Sequence, residues 1–188
     1  MVNVIGKASL AALLMVAPSV VTAQHDMSSM GHMAKHELGA DITGFYQRLS
    51  LNGGSSSQIL IGTPVDLRVG IVSGEKATVE PRINFAFHSK GNANGGATYE
   101  FIPDLNFTWG FQSNKKGPYL TAGAALRMEH DTSTQTQFGF NGGLGTRIPY
   151  ESGAIRVEAF GQYFLKKAAD LIPNELNIGV RVGLSLWH

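Results

Sequence analysis

Between residues 98 and 112 the chain alternates apolar and polar side chains. The odd positions are Tyr99, Phe101, Pro103, Leu105, Phe107, Trp109 and Phe111; the even positions are Thr98, Glu100, Ile102, Asp104, Asn106, Thr108, Gly110 and Gln112, with Ile102 the lone exception. Period two predicts a β-strand with one apolar and one polar face. The segment outruns the roughly five or six residues of an ordinary soluble strand and is long enough for the about nine to eleven that a strand needs to cross a bilayer. A single strand of this kind leaves its edges unpaired and cannot span lipid alone, so the pattern has meaning only if it recurs.

It recurs along the chain. A first strand falls within residues 37–51, where alternation is poor, followed by a turn at 52–57. From 58 to 72, Ile59, Ile61, Thr63, Val65, Leu67, Val69 and Ile71 share a face opposite Asp66 and Arg68, with Pro64 marking a bulge. After a turn at 73–76, Val79, Pro81, Ile83, Phe85 and Phe87 oppose Glu80, Arg82, Asn84 and His88, and the Gly-rich stretch 90–96 is a loop. The 98–112 strand turns at 113–117 into a fifth, with Leu120, Ala122, Ala124, Leu126 and Met128 against Tyr119, Thr121, Gly123, Ala125 and Arg127. A sixth places Phe138, Phe140, Leu144 and Ile148 against Gln137, Gly139, Asn141, Gly143, Gly145 and Arg147, and turns at 149–153. The seventh sets Ile155, Val157, Ala159, Tyr163 and Leu165 against Arg156, Glu158 and Gln162, with a loop at 166–174. The last alternates Leu176, Ile178, Val180, Val182, Leu184 and Leu186 with Asn177, Gly179, Arg181, Gly183 and Ser185.

Eight strands joined in sequence predict an all-β fold, an antiparallel up-and-down meander closed into a barrel. The pattern leaves two orientations, apolar inside as in a soluble lipocalin-like barrel or apolar outside as in an outer-membrane barrel. Bulk separates them. Eight strands enclose a space just wide enough for side chains to fill, and the rings of residues 101–111 multiplied around the circle would overfill it. The other face mixes long charged side chains with Gly110, Gly123, Gly139, Gly143, Gly145, Gly179 and Gly183, a combination that packs a narrow interior. The apolar face is therefore expected to meet lipid.

Composition adds compartment and excludes several function classes. With 188 residues, 43% of them hydrophobic and 15% charged, the chain is one domain in length. Its opening has the basic Lys7, an apolar run at 8–17 and Val21-Thr22-Ala23, the signature of a signal peptide over residues 1–23, with the mature protein starting at Gln24. The mature region has no apolar run of about twenty residues, so no transmembrane helix is expected. Cysteine is absent, which removes disulfides and thiolate metal sites. Loss of Lys7 from 15 basic residues leaves 14 against 14 acidic ones, and electrostatic binding of nucleic acid gains no support.

Residues 24–36 read as a flexible tail ahead of a barrel at 37–188. There His25, Met27, Met30, His32, Met33 and the adjoining His36 offer imidazole and thioether groups, ligands suited to copper or silver, although loose spacing makes an incidental leader the more ordinary explanation. The stronger constellation is on the polar faces: Arg68, Arg82, Arg127, Arg147, Arg156 and Arg181 against Asp66, Glu80, Glu100, Asp104 and Glu158. Every lysine of the mature chain falls in the tail, a loop, a turn or a strand end. Arginine suits enclosed, multiply hydrogen-bonded ion pairs and lysine is better left hydrated, so the segregation predicts a salt-bridged, plugged lumen. A rival set for chemistry is His88, Ser89, Glu129 and His130, which the meander carries to one rim, where a nucleophile and base could attack a lipid ester. His88 and Ser89, being adjacent, point to opposite faces of their strand, which argues against that pairing.

These residues together make the chain similar to the small eight-stranded outer-membrane β-barrels of Gram-negative bacteria, the porin-family barrel domain typified by the OmpA transmembrane domain and OmpX. The similarity covers nearly all of the chain after the tail. It is carried most specifically by the terminal NELNIGVRVGLSLWH, an alternating strand that ends near an aromatic, with Trp187 preceding His188 where this family usually ends in Phe or Trp. The stretch from Val79 to Phe85 looks like a recurrent strand of such proteins. The resemblance implies an outer-membrane location among outer-membrane lipids and recognition of the last strand by the assembly machinery; a monomer without a cofactor is expected. It implies no reaction. The expected role is that of a non-enzymatic barrel in envelope integrity or surface interaction, with a small channel or a lipid-modifying enzyme as the alternatives.

Overall fold

A computed structural model of the chain describes residues 36–51, 54–89, 97–130, 134–165 and 173–188. They form eight strands, β1 (His36–Leu51), β2 (Gly54–Ser73), β3 (Ala77–Ser89), β4 (Ala97–Gly110), β5 (Gly117–His130), β6 (Thr134–Tyr150), β7 (Gly153–Phe164) and β8 (Asn174–Trp187). Each pairs antiparallel with its sequence neighbours, and β1 pairs with β8, closing the barrel. The closure is complete to the last residue: the His36 amide donates to the His188 carbonyl at 3.1 Å and the His188 amide donates back at 2.9 Å. His36 is thus a strand residue, one position ahead of the expected barrel start. The expected signal peptide and the expected tail with His25, Met27, Met30, His32 and Met33 lie outside the described residues.

Two ends of the barrel differ in their connections. At one, called here the turn end, tight links at 74–76, 111–116 and 151–152 join the strands, and both His36 and His188 sit there. Gly74 and Gly117 take φ of 76° and 80°, the left-handed conformation that a turn demands and that glycine adopts without a Cβ penalty. The other, the loop end, carries the remaining connections. Two expected turns are shorter than the sequence suggested. Ser55, Ser56 and Ser57, assigned to a turn for their small polar side chains, instead extend β2 opposite Ser50, Leu49 and Arg48, and Pro149 and Tyr150 continue β6 opposite Ala154 and Gly153. Backbone pairing outweighs local turn preference in both places.

Pro64 lies in a bulge, as its missing N–H requires. Ile42 faces Val65 while Gly44 faces Ile61, so β2 spends three residues where β1 spends one. The excess is two residues, an even number, so Ile59 and Ile61 stay on the same face as Val65 and Leu67. Beyond the bulge β2 has no pairing with β3 among the described residues. Pairing of β2 with β3 ends at Val65↔Phe85, whereas β1–β2 continues to Leu51↔Gly54 and β3–β4 to Ser89↔Ala97. The consequence is visible in exposure: Ile59 and Ile61 are 74% and 81% exposed, against 50% for Leu67 lower on the same strand face.

The outer wall is apolar around the whole circumference, with Leu38, Leu67, Ile83, Leu105, Leu126, Leu144, Val157 and Val182 among the exposed residues, one from every strand. Tyr99 and Trp109, both outward, stand ten residues apart on β4. At about 3.3 Å per residue and a strand tilt of about 40°, they are separated by about 25 Å along the barrel axis, the height of a lipid-facing band bounded by aromatic girdles. Phe111 and Tyr150 join Trp109 near the turn end, and Tyr46 and Tyr163 join Tyr99 toward the loop end. Where neighbouring strands pair, the closed barrel leaves no backbone edge to lipid, and its apolar outer surface is one that a hydrocarbon phase matches.

Candidate functional site

The candidate site is the lumen itself, because the inward positions of all eight strands place charged side chains where there is neither lipid nor bulk water. Near the turn end one connected network joins five arginines, Arg68, Arg82, Arg147, Arg156 and Arg181, to five carboxylates, Glu37, Asp41, Asp66, Glu80 and Glu158. Glu80 is its hub. Its carboxylate accepts from Arg82 at 3.1 Å, Arg147 at 3.1 Å, Arg156 at 2.9 Å and the Thr108 hydroxyl at 3.0 Å. Glu158, two strand positions from Arg156 and across from Arg181, accepts from Arg82 at 3.4 Å, Arg181 at 3.1 Å and the Tyr119 hydroxyl at 3.0 Å. Glu37 reaches Arg68, Arg147 and Arg156 at 3.3 to 3.6 Å and accepts from Ser185 Oγ, while Asp41 pairs with Arg68 and Asp66 lies 3.5 to 3.7 Å from Arg181 and Arg82.

Room for these groups comes from glycine. A Cβ on Gly39 would run into the Arg68 guanidinium, one on Gly145 into the Tyr119 ring and one on Gly183 into the Asp41 carboxylate. Each long side chain therefore lies over a neighbouring strand's glycine. The guanidinium groups of Arg147 and Arg156 both stand over the Tyr119 ring, 4.5 and 4.7 Å from its centroid, contacts that add cation–π attraction to the ion pairs. Below the network the β4–β5 turn folds over the turn-end mouth. The Asn114 amide donates to the Glu75 carbonyl at 2.8 Å, its side chain donates to the Gly74 carbonyl at 3.0 Å, and Lys115 Nζ stands 5.5 Å from the Trp187 ring of β8.

Toward the loop end the chemistry changes. Asp104 accepts from the amides of Asn84, Asn106 and Asn141 at 3.4, 2.8 and 3.3 Å. Above it Phe45, Ile102, Phe160 and Phe164 point inward, with Phe160 under the Arg181 guanidinium at 3.9 Å. Near the rim Arg127 alone serves three carboxylates, Glu100 at 2.6 Å, Glu129 at 3.2 Å and Glu175 in a short contact, and leans on the Phe164 ring at 5.9 Å.

All eleven charged residues singled out from the sequence point inward. Three more, Glu37, Asp41 and Glu175, join them, so the six-to-five charge balance read from the sequence becomes an excess of carboxylates. Glu37 and Asp41 sit on the strand whose alternation was poor, because its inner face runs Glu, Gly, Asp, Thr, Phe, Gln. The parity that opposes them to Leu38, Ile42 and Tyr46 was the available signal. Glu175 precedes the first residue assigned to the last strand, yet shares parity with Asn177 and Arg181. Of the rival catalytic set, only Glu129 and His130 have described side chains. Glu129 pairs with Arg127, the exposed His130 Nδ1 lies 2.9 Å from Thr134 Oγ1, and the side chains of His88 and Ser89 lie outside the described residues.

No protein-family model matches the sequence, and no curated protein matches it. Solved structures match its fold. Neisserial surface protein A, NspA, superposes with a TM-score of 0.60 over 82% of this chain and 97% of its own, at 14% identity. Ail, the attachment invasion locus protein of Yersinia pestis, solved with the heparin analogue sucrose octasulfate, gives 0.49 over 81% and 98% at 13% identity. The N-terminal β-barrel domain of Pseudomonas aeruginosa OprF gives 0.41 over 79% and 97% at 16% identity. The chain thus has the closed eight-stranded fold of a small outer-membrane barrel such as NspA.

Proposed function

We propose that this protein is a non-enzymatic barrel of the Gram-negative outer membrane whose lumen is sealed by ion pairs, and that it serves envelope integrity or surface interaction. The observation that carries the seal is the ten-residue network around Glu80 and Glu158. Its arginines and carboxylates come from six of the eight strands, with the Thr108 hydroxyl supplied by β4 and the Tyr119 hydroxyl by β5. A pore lined for ion selection carries one sign of charge in rings that water reaches, whereas this interior pairs opposite signs and buries them. Five arginines against five carboxylates also leave that layer without a net field to draw ions of either sign.

Surface interaction is supported by the loop end. There, among the described residues, β2 runs past its last pairing with β3, and an unpaired edge is a template for an added strand. Copper or silver capture by the His and Met tail, and reading of the Leu176–Trp187 pattern by the assembly machinery, are compatible roles of the two termini. Deletion of residues 24–35 with calorimetric titration of Cu(I) tests the first of them: equal affinity with and without the segment removes it.

The seal is tested by planar bilayer recording of the refolded protein. The expected outcome is no steady ohmic conductance. Persistent conductance whose ion selectivity follows substitution of Glu80 or Arg82 would replace the sealed barrel with a small channel.

A further inference from the structure

Between the two charged layers the inner wall encloses a hollow of about 20 Å³, lined by β1, β3, β4, β7 and β8. Its origin is local. Gly179 on β8 pairs with Phe45 on one side and Phe160 on the other, and the two rings meet edge to face at 6.4 Å between centroids. A Cβ on Gly179 would strike the Phe45 Cβ and the Gly44 carbonyl, so neither packing nor backbone leaves room for another residue there. Two flat rings and a glycine cannot fill the corner that they bound.

Three buried polar atoms of residues lining this hollow have no hydrogen-bond partner: Thr43 Oγ1, Gln162 Nε2 and Asn177 Oδ1, while Arg181 Nε faces Asp66 at 3.5 Å. Gln162 lies opposite Asn177 and Thr43 opposite Arg181, with Gly179 midway between Asn177 and Arg181 on the inner face of β8. Each such atom, left unmet, keeps the full penalty of its lost hydration. The chemistry of the three selects a ligand. Gln162 presents an N–H donor, Asn177 an acceptor and Thr43 either, so the ligand must donate and accept at once. A bare cation would face the Gln162 donor, and an apolar molecule would satisfy none. The volume exceeds the about 10 to 15 Å³ of probe space that one water occupies and falls far below any organic ligand.

We propose that this hollow is an internal hydration site holding one ordered water, bound by Thr43, Gln162 and Asn177. The water lies between Glu100 and Glu175 of the loop-end layer and Arg181 of the turn-end network. It makes the waist of the lumen wet without making it open.

The test combines a crystal structure of the wild-type protein with unfolding of two variants. In the wild type, density for a water is expected about 2.7 to 3.2 Å from Thr43 Oγ1 and Asn177 Oδ1. Thr43→Val keeps the shape and removes the hydroxyl, and the unfolding equilibrium constant in urea should rise about fivefold through the lost hydrogen bond. Thr43→Ser, which keeps the hydroxyl, should retain the water. A dry hollow in the wild-type crystal overturns the proposal. So does a Thr43→Val protein as stable as the wild type or more so, since a methyl replacing a partnerless buried hydroxyl relieves a penalty instead of breaking a bond.

Discussion

The two ends of the lumen solve the problem of enclosed charge differently. At the turn end five arginines meet five carboxylates, every partner is buried, and most carboxylates accept from two or more guanidinium groups. At the loop end a single Arg127, its side chain 12% exposed, holds three carboxylates, one of them the 38% exposed Glu129. Asp104, between them, is met by amides. The difference teaches where water is. A buried group must find its counter-charge within the protein, and only geometry with several partners repays desolvation; near an open rim, water supplies what the protein omits. The same contrast runs through the outer wall, where the barrel is fully paired at mid-height and, among the described residues, β2 has no pairing with β3 beyond Val65.

Substitution at the turn end should break this comparison most sharply. Arg82→Ala strands Glu80, Asp66 and Glu158 with one partner fewer, and Glu158→Ala does the same to Arg82 and Arg181. A loss of about 3 to 5 kcal/mol is expected for each, measured as the urea midpoint of the protein refolded in lipid vesicles. A next test moves charge to the outside. Leu144→Arg, on the wall near mid-barrel, should cost about 2 to 4 kcal/mol in the same assay, while Ile61→Arg, on the free part of β2, should cost about 0 to 1 kcal/mol because it lies toward the interface. Equal penalties would mean that the projecting hairpin is immersed in hydrocarbon.

Smaller effects sharpen the loop-end side. Arg127→Ala removes charge-assisted hydrogen bonds from Glu100 and Glu175, but Glu175 keeps Gln47 and Asn177 as donors at 2.8 Å each. A cost of about 1 to 3 kcal/mol follows. Glu129→Ala should change stability by less than about 1 kcal/mol, and added salt should erase what difference exists, since an exposed pair is screened. If Glu129→Ala proved as damaging as Glu158→Ala, the loop-end layer would be as dry as the other.

Much of this molecule could be read from alternation alone. The barrel, its eight strands, the outward apolar face and the inward set Asp66, Arg68, Glu80, Arg82, Glu100, Asp104, Arg127, Arg147, Arg156, Glu158 and Arg181 follow from period two combined with the volume that eight strands enclose. Side-chain parity is a local property of a strand, so it survives without knowledge of neighbours. The segregation of arginine from lysine was legible for the same reason: it asks only which face a residue is on. Strand ends were less legible, and with them Glu37, Asp41 and Glu175, because the extent of a strand is set by what pairs with it and not by its own residues. Arg48, Leu49 and Ser50 keep β2 extended through three serines that by themselves favour a turn.

Which charges meet was decided by the tertiary structure. Arg156 and Glu80 are on β7 and β3, strands that are not neighbours, and their contact depends on the reach of both side chains across the barrel and on glycines beneath them. The division into a balanced turn-end network and a carboxylate-rich loop end likewise belongs to register: the tilt of each strand fixes the height at which its charges enter the lumen. So does the hollow over Gly179, where two rings from different strands meet and leave a corner open. The sequence determined which face each residue takes because the pleat assigns it; height and partner along the barrel axis are set by closure, which no single strand contains.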